Sequence, residues 1–149
     1  MSVFPELRHW VVGFCFCMAI GCETQQSQVS IGSEVPDGPV KILTGSEESP
    51  STFHQAVLRD DDKLVLVDFW ATWCPPCQQM IPEVESVKAT WKEQLEVVKL
   101  DVDDNPELSV HFNVESIPTV LLVRNGRILQ RVEGFTTADE FSEIIRSLN

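Results

Sequence analysis

Apolar and polar residues alternate along the chain in a way that resolves, from about residue 40 onward, into short elements of changing period. Val40 to Thr44 alternates well enough for a short strand. Pro50 to Leu58 reads as a helix, with Ser51 or Thr52 as its cap and Phe53, Ala56 and Val57 as its apolar stripe. Lys63 to Trp70 is almost continuously apolar, as expected of a strand buried on both faces. A helical pattern then runs to about Trp91, directing Met80, Ile81, Val84 and Val87 at the core, with Pro82 inside it where a kink is expected. Leu95 to Val102 is a second buried strand. Asn105-Pro106 opens a short helix to about Phe112, closed by Asn113 as a left-handed cap. Thr119–Arg124 and Arg127–Val132 flank Asn125-Gly126, a two-residue hairpin signal. Thr137 caps a last amphipathic helix with Phe141, Ile144, Ile145 and Leu148 on one side. The order β-α-β-α-β-α-β-β-α predicts an α/β fold. Its central mixed sheet should carry helices on both faces, parallel strands inside and an antiparallel hairpin at one edge.

The first 38 residues have a different character. Arg8 and the amino terminus supply modest positive charge, Trp10 to Ile20 is an apolar stretch of 11 residues, and Ala19-Ile20-Gly21-Cys22 closes it. That stretch is shorter than the ~20 residues a membrane-spanning helix needs and fits a secretory apolar region. The closing tetrapeptide resembles the lipobox of bacterial lipoproteins, in which the cysteine is lipidated, although Ala19 stands where leucine is usual and Glu6 weakens the basic region. Signal cleavage without lipid, or no cleavage, are the other readings. Residues 23–37 are rich in Ser, Gln, Thr and Gly and read as a tether. The expected division is a lipoprotein-type signal peptide over 1–22, a flexible linker over 23–38 and one domain over 39–149.

Composition narrows the function classes. A chain of 149 residues with 43% hydrophobic content can bury one real core. A net charge of −12 argues against nucleic acid and anionic membrane surfaces, both of which need basic patches. Asp60-Asp61-Asp62 and Asp101, Asp103 and Asp104 read as solvated loops, because the spacing and terminal Glu of a calcium loop are missing.

The chemistry concentrates in Trp73-Cys74-Pro75-Pro76-Cys77, between the first buried strand and the long helix. Residues i and i+3 share a face in the first turn of a helix, so two sulfurs there can close a small disulfide. The unsatisfied amides and positive end of the helix favour a Cys74 thiolate, the nucleophilic form. Proline is tolerated in the first turn, so Pro75 and Pro76 stiffen the ring without breaking the helix. The same cysteine pair can be half of a zinc site, but His54 and His111 are isolated and Cys15, Cys17 and Cys22 lie near the N-terminus. Lipidation of Cys22 would leave one thiol pair in an export compartment, with no odd cysteine to mispair.

From about Val40 to Asn149 this order of elements resembles the thioredoxin family. The resemblance is carried by Asp68-Phe69-Trp70-Ala71 before Trp73-Cys74-x-x-Cys77, by Pro82, by Ile117-Pro118-Thr119, and by Gly126 and Gly134. The separation of Cys77 from Pro118 leaves no room for the insertion of the cytochrome-maturation branch. The resemblance implies Cys74 as attacking thiolate at the exposed edge of the helix and Cys77 as resolving thiol. It implies Asp68 as proton acceptor for the buried cysteine, the alternative being a strand-end residue bonded to backbone amides. Lys99 falls beside Asp68 and would tune its pKa; the alternative is a solvent-facing lysine. Pro118 resembles the family's cis-proline and, with Ile117, Trp73, Pro75 and Pro76, would form the substrate-binding edge. Trp70, Trp91 and His54 read as packing or surface residues. Three positions depart from the family pattern. Pro75 replaces the usual glycine in the dipeptide that tunes the potential, Gln78 replaces a basic residue, and Glu115 precedes Pro118 on the docking surface, where it would favour neutral or basic partners.

The expectation is a thiol–disulfide oxidoreductase acting on protein disulfides, exported, lipid-anchored, and working as a reductant fed by a membrane thiol donor. It needs no cofactor or metal and is expected to be a monomer. A disulfide oxidase or isomerase of the same fold is the alternative within the enzyme class. A redox-inactive binding module and a structural zinc protein are the alternatives outside it.

Overall fold

The long apolar run near residue 65 is the centre of the molecule. In the computed structural model, described here for residues 29–30, 35–44, 47–59 and 61–149, Leu64 to Phe69 are all buried. Eleven elements follow in chain order: β1 (Val29–Ser30), β2 (Pro39–Thr44), β3 (Glu47–Thr52), α1 (Phe53–Val57), β4 (Leu64–Trp70), α2 (Pro75–Trp91), β5 (Leu95–Asp101), α3 (Pro106–His111), β6 (Thr119–Arg124), β7 (Arg127–Glu133) and α4 (Ala138–Leu148). One seven-stranded sheet has the order β1-β7-β6-β4-β5-β2-β3. β4 and β5 are parallel, pairing Val67 with Val98 and Asp68 with Lys99, and β6 joins β4 antiparallel.

Strand periodicity sorts the central side chains into two layers. Val65, Val67, Phe69, Val98, Leu100, Leu121 and Val123 pack with Phe53, Ala56, Leu108 and Phe112, so α1 and α3 cover that face. Leu64, Leu66, Leu95, Val97, Val120 and Leu122 pack with Met80, Val84, Val87, Phe141 and Ile145, so α2 and α4 cover the other. Helices on both faces of a mixed sheet are what the sequence pattern predicts.

The caps are local chemistry. Thr52 and Gln55 form a capping box at α1, and Thr137 and Glu140 form another at α4. Asn125 and Gly126 both have positive φ (51° and 66°), which suits the tight turn between β6 and β7, and Asn113 at φ 51° is the left-handed residue expected after α3.

Three expectations are corrected. The helix placed at Pro50 starts at Phe53, because Glu47 to Thr52 pairs with β2 as an edge strand. Its Glu47-Glu48-Ser49-Pro50 sequence has no alternating signal, and an edge tolerates both charge and proline. The parallel interior is limited to β4 and β5, since β2 runs antiparallel to β5 and forms a second hairpin with β3 at that edge. The linker expected over 23–38 meets the fold at two places: Val29–Ser30 pairs with β7, and Val35 is buried in the α1/α3 layer. His54 explains the second contact. Its ring Nε2 lies 2.8 Å from the Val35 carbonyl, and its backbone N–H donates to Asp37 at 2.9 Å. Residues 1–22, including Cys22, lie outside the described residues, as does most of the linker.

Candidate active site

β4 ends at Trp70, and the turn through Ala71 to Trp73 delivers Cys74 to the N-cap of α2. The backbone of Cys74 is extended (φ −93°, ψ 105°), and its carbonyl accepts the Gln78 N–H at 3.1 Å. Pro75 and Pro76 occupy the first two helical positions and have no N–H. Cys77 therefore supplies the first free amide, which donates to Cys74 Sγ at 3.2 Å. Cys74 and Cys77 are joined in a disulfide with Cα atoms 5.3 Å apart, the one-face geometry that the i, i+3 spacing predicts.

Cys74 is not at an exposed edge in this disulfide form: its residue is only 3% accessible and Cys77 is as buried. Both pack with Ala71 against Trp70, Val102 and Ile117. Ile117 places its carbonyl oxygen 3.7 Å from Cys74 Sγ, and the Ile117–Pro118 peptide is cis, as expected. Thr119 fixes this turn by donating its hydroxyl to the Ser116 carbonyl at 2.7 Å. Pro75 and Pro76 are exposed beside the disulfide, and Pro118 is buried.

Asp68 follows Leu64 and Leu66 onto the face beneath α2, and its parallel partner Lys99 follows Leu95 and Val97 onto the same face. Both are buried. Asp68 Oδ1 has no hydrogen-bond partner, so the strand-end reading with bonds to backbone amides does not hold for that atom. Burial pushes the Asp68 carboxyl up to about 7, and the positive charge of Lys99 opposes the rise. Lys99 does not face solvent; its Nζ stands 3.6 Å above the Trp70 ring, which makes Trp70 a packing residue with an electrostatic part.

Trp73 is 63% exposed, and its indole N–H donates to Asp103 at 2.7 Å, so the ring is held rather than loose. Asp103 is a site residue that sequence reasoning missed, because an aspartate in an acidic loop has no pattern to distinguish it. Asp101 Oδ1 accepts the Asp103 N–H, Asp61 pairs with Arg59, and Asp62 accepts from Asn125, so these carboxylates organise their loops rather than stand free. Among the described residues no group of three or more His, Cys, Asp or Glu converges to hold a metal ion. Gln78 reaches back to the Thr72 carbonyl, and Glu115 is exposed before Ile117. Trp91 donates to Ser142 at 3.2 Å, a packing contact between α2 and α4.

Comparison with known proteins agrees with this geometry. The thioredoxin family profile matches residues 45–147. The thioredoxin of Listeria monocytogenes is 40% identical over 99 residues, covering 66% of this chain and 93% of that protein. The thioredoxin of Mycobacterium bovis is 39% identical over 117 residues, covering 72% of this chain and all of that protein (100%). Among solved structures, the germline-specific thioredoxin Deadhead of Drosophila melanogaster superposes with a TM-score of 0.56 at 35% identity, covering 60% of this chain and 84% of that one. Chloroplastic thioredoxin z gives 0.57 at 33% identity, covering 63% and 85%. A disulfide closed across the first turn of α2, in a fold and sequence of this kind, has one reading: the chain belongs to the thioredoxin family and is a thiol–disulfide oxidoreductase with its redox pair at Cys74 and Cys77.

Proposed function

We propose that this oxidoreductase is an exported reductant of protein disulfides, tethered to a membrane by a lipid on Cys22 and recharged by a membrane thiol donor. The observation that carries the chemical part is the Cys74 sulfur at the head of α2, capped by the Cys77 amide and set beside the Ile117 carbonyl. In the reduced protein the same amide and the positive end of the helix favour a Cys74 thiolate. That thiolate attacks one sulfur of a substrate disulfide, and the other substrate sulfur leaves as a thiolate that takes up a proton. Cys77 then loses its proton to Asp68 and attacks Cys74 Sγ. The mixed disulfide breaks, the second substrate sulfur leaves, and the Cys74–Cys77 disulfide is restored. Two electrons pass from the protein to the substrate.

Asp68 suits the acceptor role because burial holds its pKa near neutrality, and Lys99 limits the rise. Trp73, Pro75, Pro76, Ile117 and Pro118 form the substrate edge in this reading, supported by the exposure of Trp73, Pro75 and Pro76, the Ile117 carbonyl beside Cys74 and the cis bond to Pro118. Export and anchoring rest on the apolar stretch from Trp10 to Ile20 and its closing Ala19-Ile20-Gly21-Cys22. A reductant outside the cytoplasm is beyond the reach of a soluble cytosolic reductase, hence the membrane donor. The protein acts as a monomer.

The test is the reduction potential of the Cys74–Cys77 pair, equilibrated against dithiothreitol and glutathione buffers. A value of about −270 mV supports the reductant. A value of about −180 to −120 mV makes the protein a disulfide donor or isomerase, the reading that Pro75 in the central dipeptide keeps in view. Intact mass of the membrane fraction tests the lipid on Cys22.

A further inference from the structure

We infer that the rim of the redox site selects disulfides flanked by a cationic and an apolar residue, with Glu115 reading the charge and Phe135 the apolar group. The inference deepens the oxidoreductase reading and rests on it.

The Ile117 carbonyl marks where substrate chain must pass, 3.7 Å from Cys74 Sγ. Glu115 lies two residues earlier, which puts its Cα within about 8 Å of the Ile117 Cα. It is exposed, and its hydrogen-bond partner is the neutral amide of Asn113 at 3.3 Å. Among the described residues it makes no ion pair, so no cation of the fold neutralises its charge. Asp103 adds a second negative charge next to Trp73. The nearby cation on β7, Arg131, is already bound by Glu133 and by the carbonyls of Phe112 and Asn113. A substrate segment laid across Cys74 therefore runs near two carboxylates, Glu115 before Ile117 and Asp103 beside Trp73.

The apolar half of the rim comes from the other flank. Pro118 accepts the Gly134 N–H at 2.8 Å, which ties the end of β7 to the redox turn. Gly134 turns the chain with φ +86°, and a Cβ built there would meet nothing within 4 Å, so the space over this turn is open. Phe135, the next residue, is 47% exposed although it is a large aromatic group. Exposed Trp73 and Phe135 thus lie along one chain of contacts running from Cys74 through Ile117 and Pro118 to Gly134. An apolar side chain has two aromatic surfaces to cover, and a lysine or arginine has two carboxylates to approach. Acidic segments are disfavoured by the same charges, which is how a rim gives specificity as well as rate.

The experiment uses the reduced full chain and measures second-order rates of oxidation by small disulfides. Hydroxyethyl disulfide, which is neutral, tests the underlying redox reading, and failure to react with it overturns that reading itself. Two peptide disulfides, identical except for Lys-Leu or Glu-Leu beside each cysteine, test the rim. At low ionic strength the Lys-Leu peptide should react about tenfold faster, with the ratio collapsing toward unity in high salt. Glu115→Gln should cut the ratio by about threefold and Glu115→Arg should bring it to about unity. Phe135→Ser should lower the advantage of Lys-Leu over a Lys-Ser peptide by about threefold, as lost apolar contact predicts. Ratios within one protein are insensitive to a partly damaged sample, so a poorly folded variant does not hide the answer. Equal rates on the Lys-Leu and Glu-Leu peptides with hydroxyethyl disulfide still consumed, or a ratio unchanged in both Glu115 variants, overturns the inference.

Discussion

Removing the charge at position 68 should stabilise the oxidised protein, increasingly as pH rises from about 4 to 7. Asp68 is buried beneath α2 and its carboxyl is raised from an ordinary 3.8 to about 7. Between those values the folded protein holds a proton that the unfolded chain has released, so stability falls as pH rises through this window. Below about pH 4 both states are protonated and nothing is lost. Above pH 7 the folded state carries the full cost of an ionised buried carboxylate. Each pH unit between the two values is worth about 1.36 kcal/mol, which brings the cost to about 4 kcal/mol. Asp68→Asn keeps the shape of the neutral acid and cannot ionise. Urea unfolding of the oxidised proteins should therefore give curves that meet near pH 4 and differ by about 4 kcal/mol at pH 8, with the variant the more stable. The other carboxylates contribute to both curves and cancel in the difference. Parallel curves across this range would refute the buried-carboxylate reasoning, and so would a wild type more stable than the variant at pH 8.

Other outcomes follow from single residues. Cys77→Ser should accumulate a mixed disulfide between Cys74 and substrate, visible by mass, whereas Cys74→Ser should abolish exchange. Pro76→Ala adds an N–H at the second helical position, where caps are read, and a second donor to the Cys74 thiolate should raise the potential by about 30 mV, measured in a glutathione buffer. A Cβ at Gly38 would overlap Asn105 Oδ1, so Gly38→Ala should cost about 1–3 kcal/mol in urea unfolding unless Asn105 gives up its bonds to the Pro39 and Asp101 carbonyls. Phe141→Ala, which empties the fully buried contact of α4 with the sheet, should cost about 3–5 kcal/mol by the same assay.

The elements with strong periodicity were legible because their two-layer burial is written into alternate residues. Leu64 and Leu66 face one layer, while Val65 and Val67 face the other, and no other local conformation gives a use to both sets. The hairpin at Asn125-Gly126 was legible for a different reason, since its positive φ angles admit few residue types. β3 was not legible, because an edge strand made of Glu, Ser and Pro is specified by its backbone pairing to β2 rather than by any face of its own. The anchoring of Val35 by His54 was hidden too: it depends on one ring nitrogen meeting one carbonyl 19 residues away. At the site, the cysteines, Asp68 and Pro118 stand in readable motifs. Asp103 does not, since its hydrogen bond to Trp73 spans 30 residues and leaves no trace in spacing.

Lys99 sits opposite Asp68 in the strand register, yet it does not hold that carboxyl near an ordinary value. The reason lies in what else each group touches. Lys99 Nζ stands over the Trp70 ring, and its charge opposes the effect of burial without cancelling it. Asp68 Oδ1 has no hydrogen-bond partner, so the ionised form lacks the donors that lower a carboxyl elsewhere in this protein, as the Thr137 amide and hydroxyl do for Glu140. Burial wins, but only by enough to reach neutrality. A stronger ion pair would lower the Asp68 pKa toward the ordinary carboxylate range, while loss of the lysine charge would raise it further. In the proposed cycle, where Cys77 must lose a proton as it attacks, only the intermediate value serves. The unsatisfied oxygen and the opposing cation are then two parts of one device. Their cost is the stability that Asp68→Asn should recover.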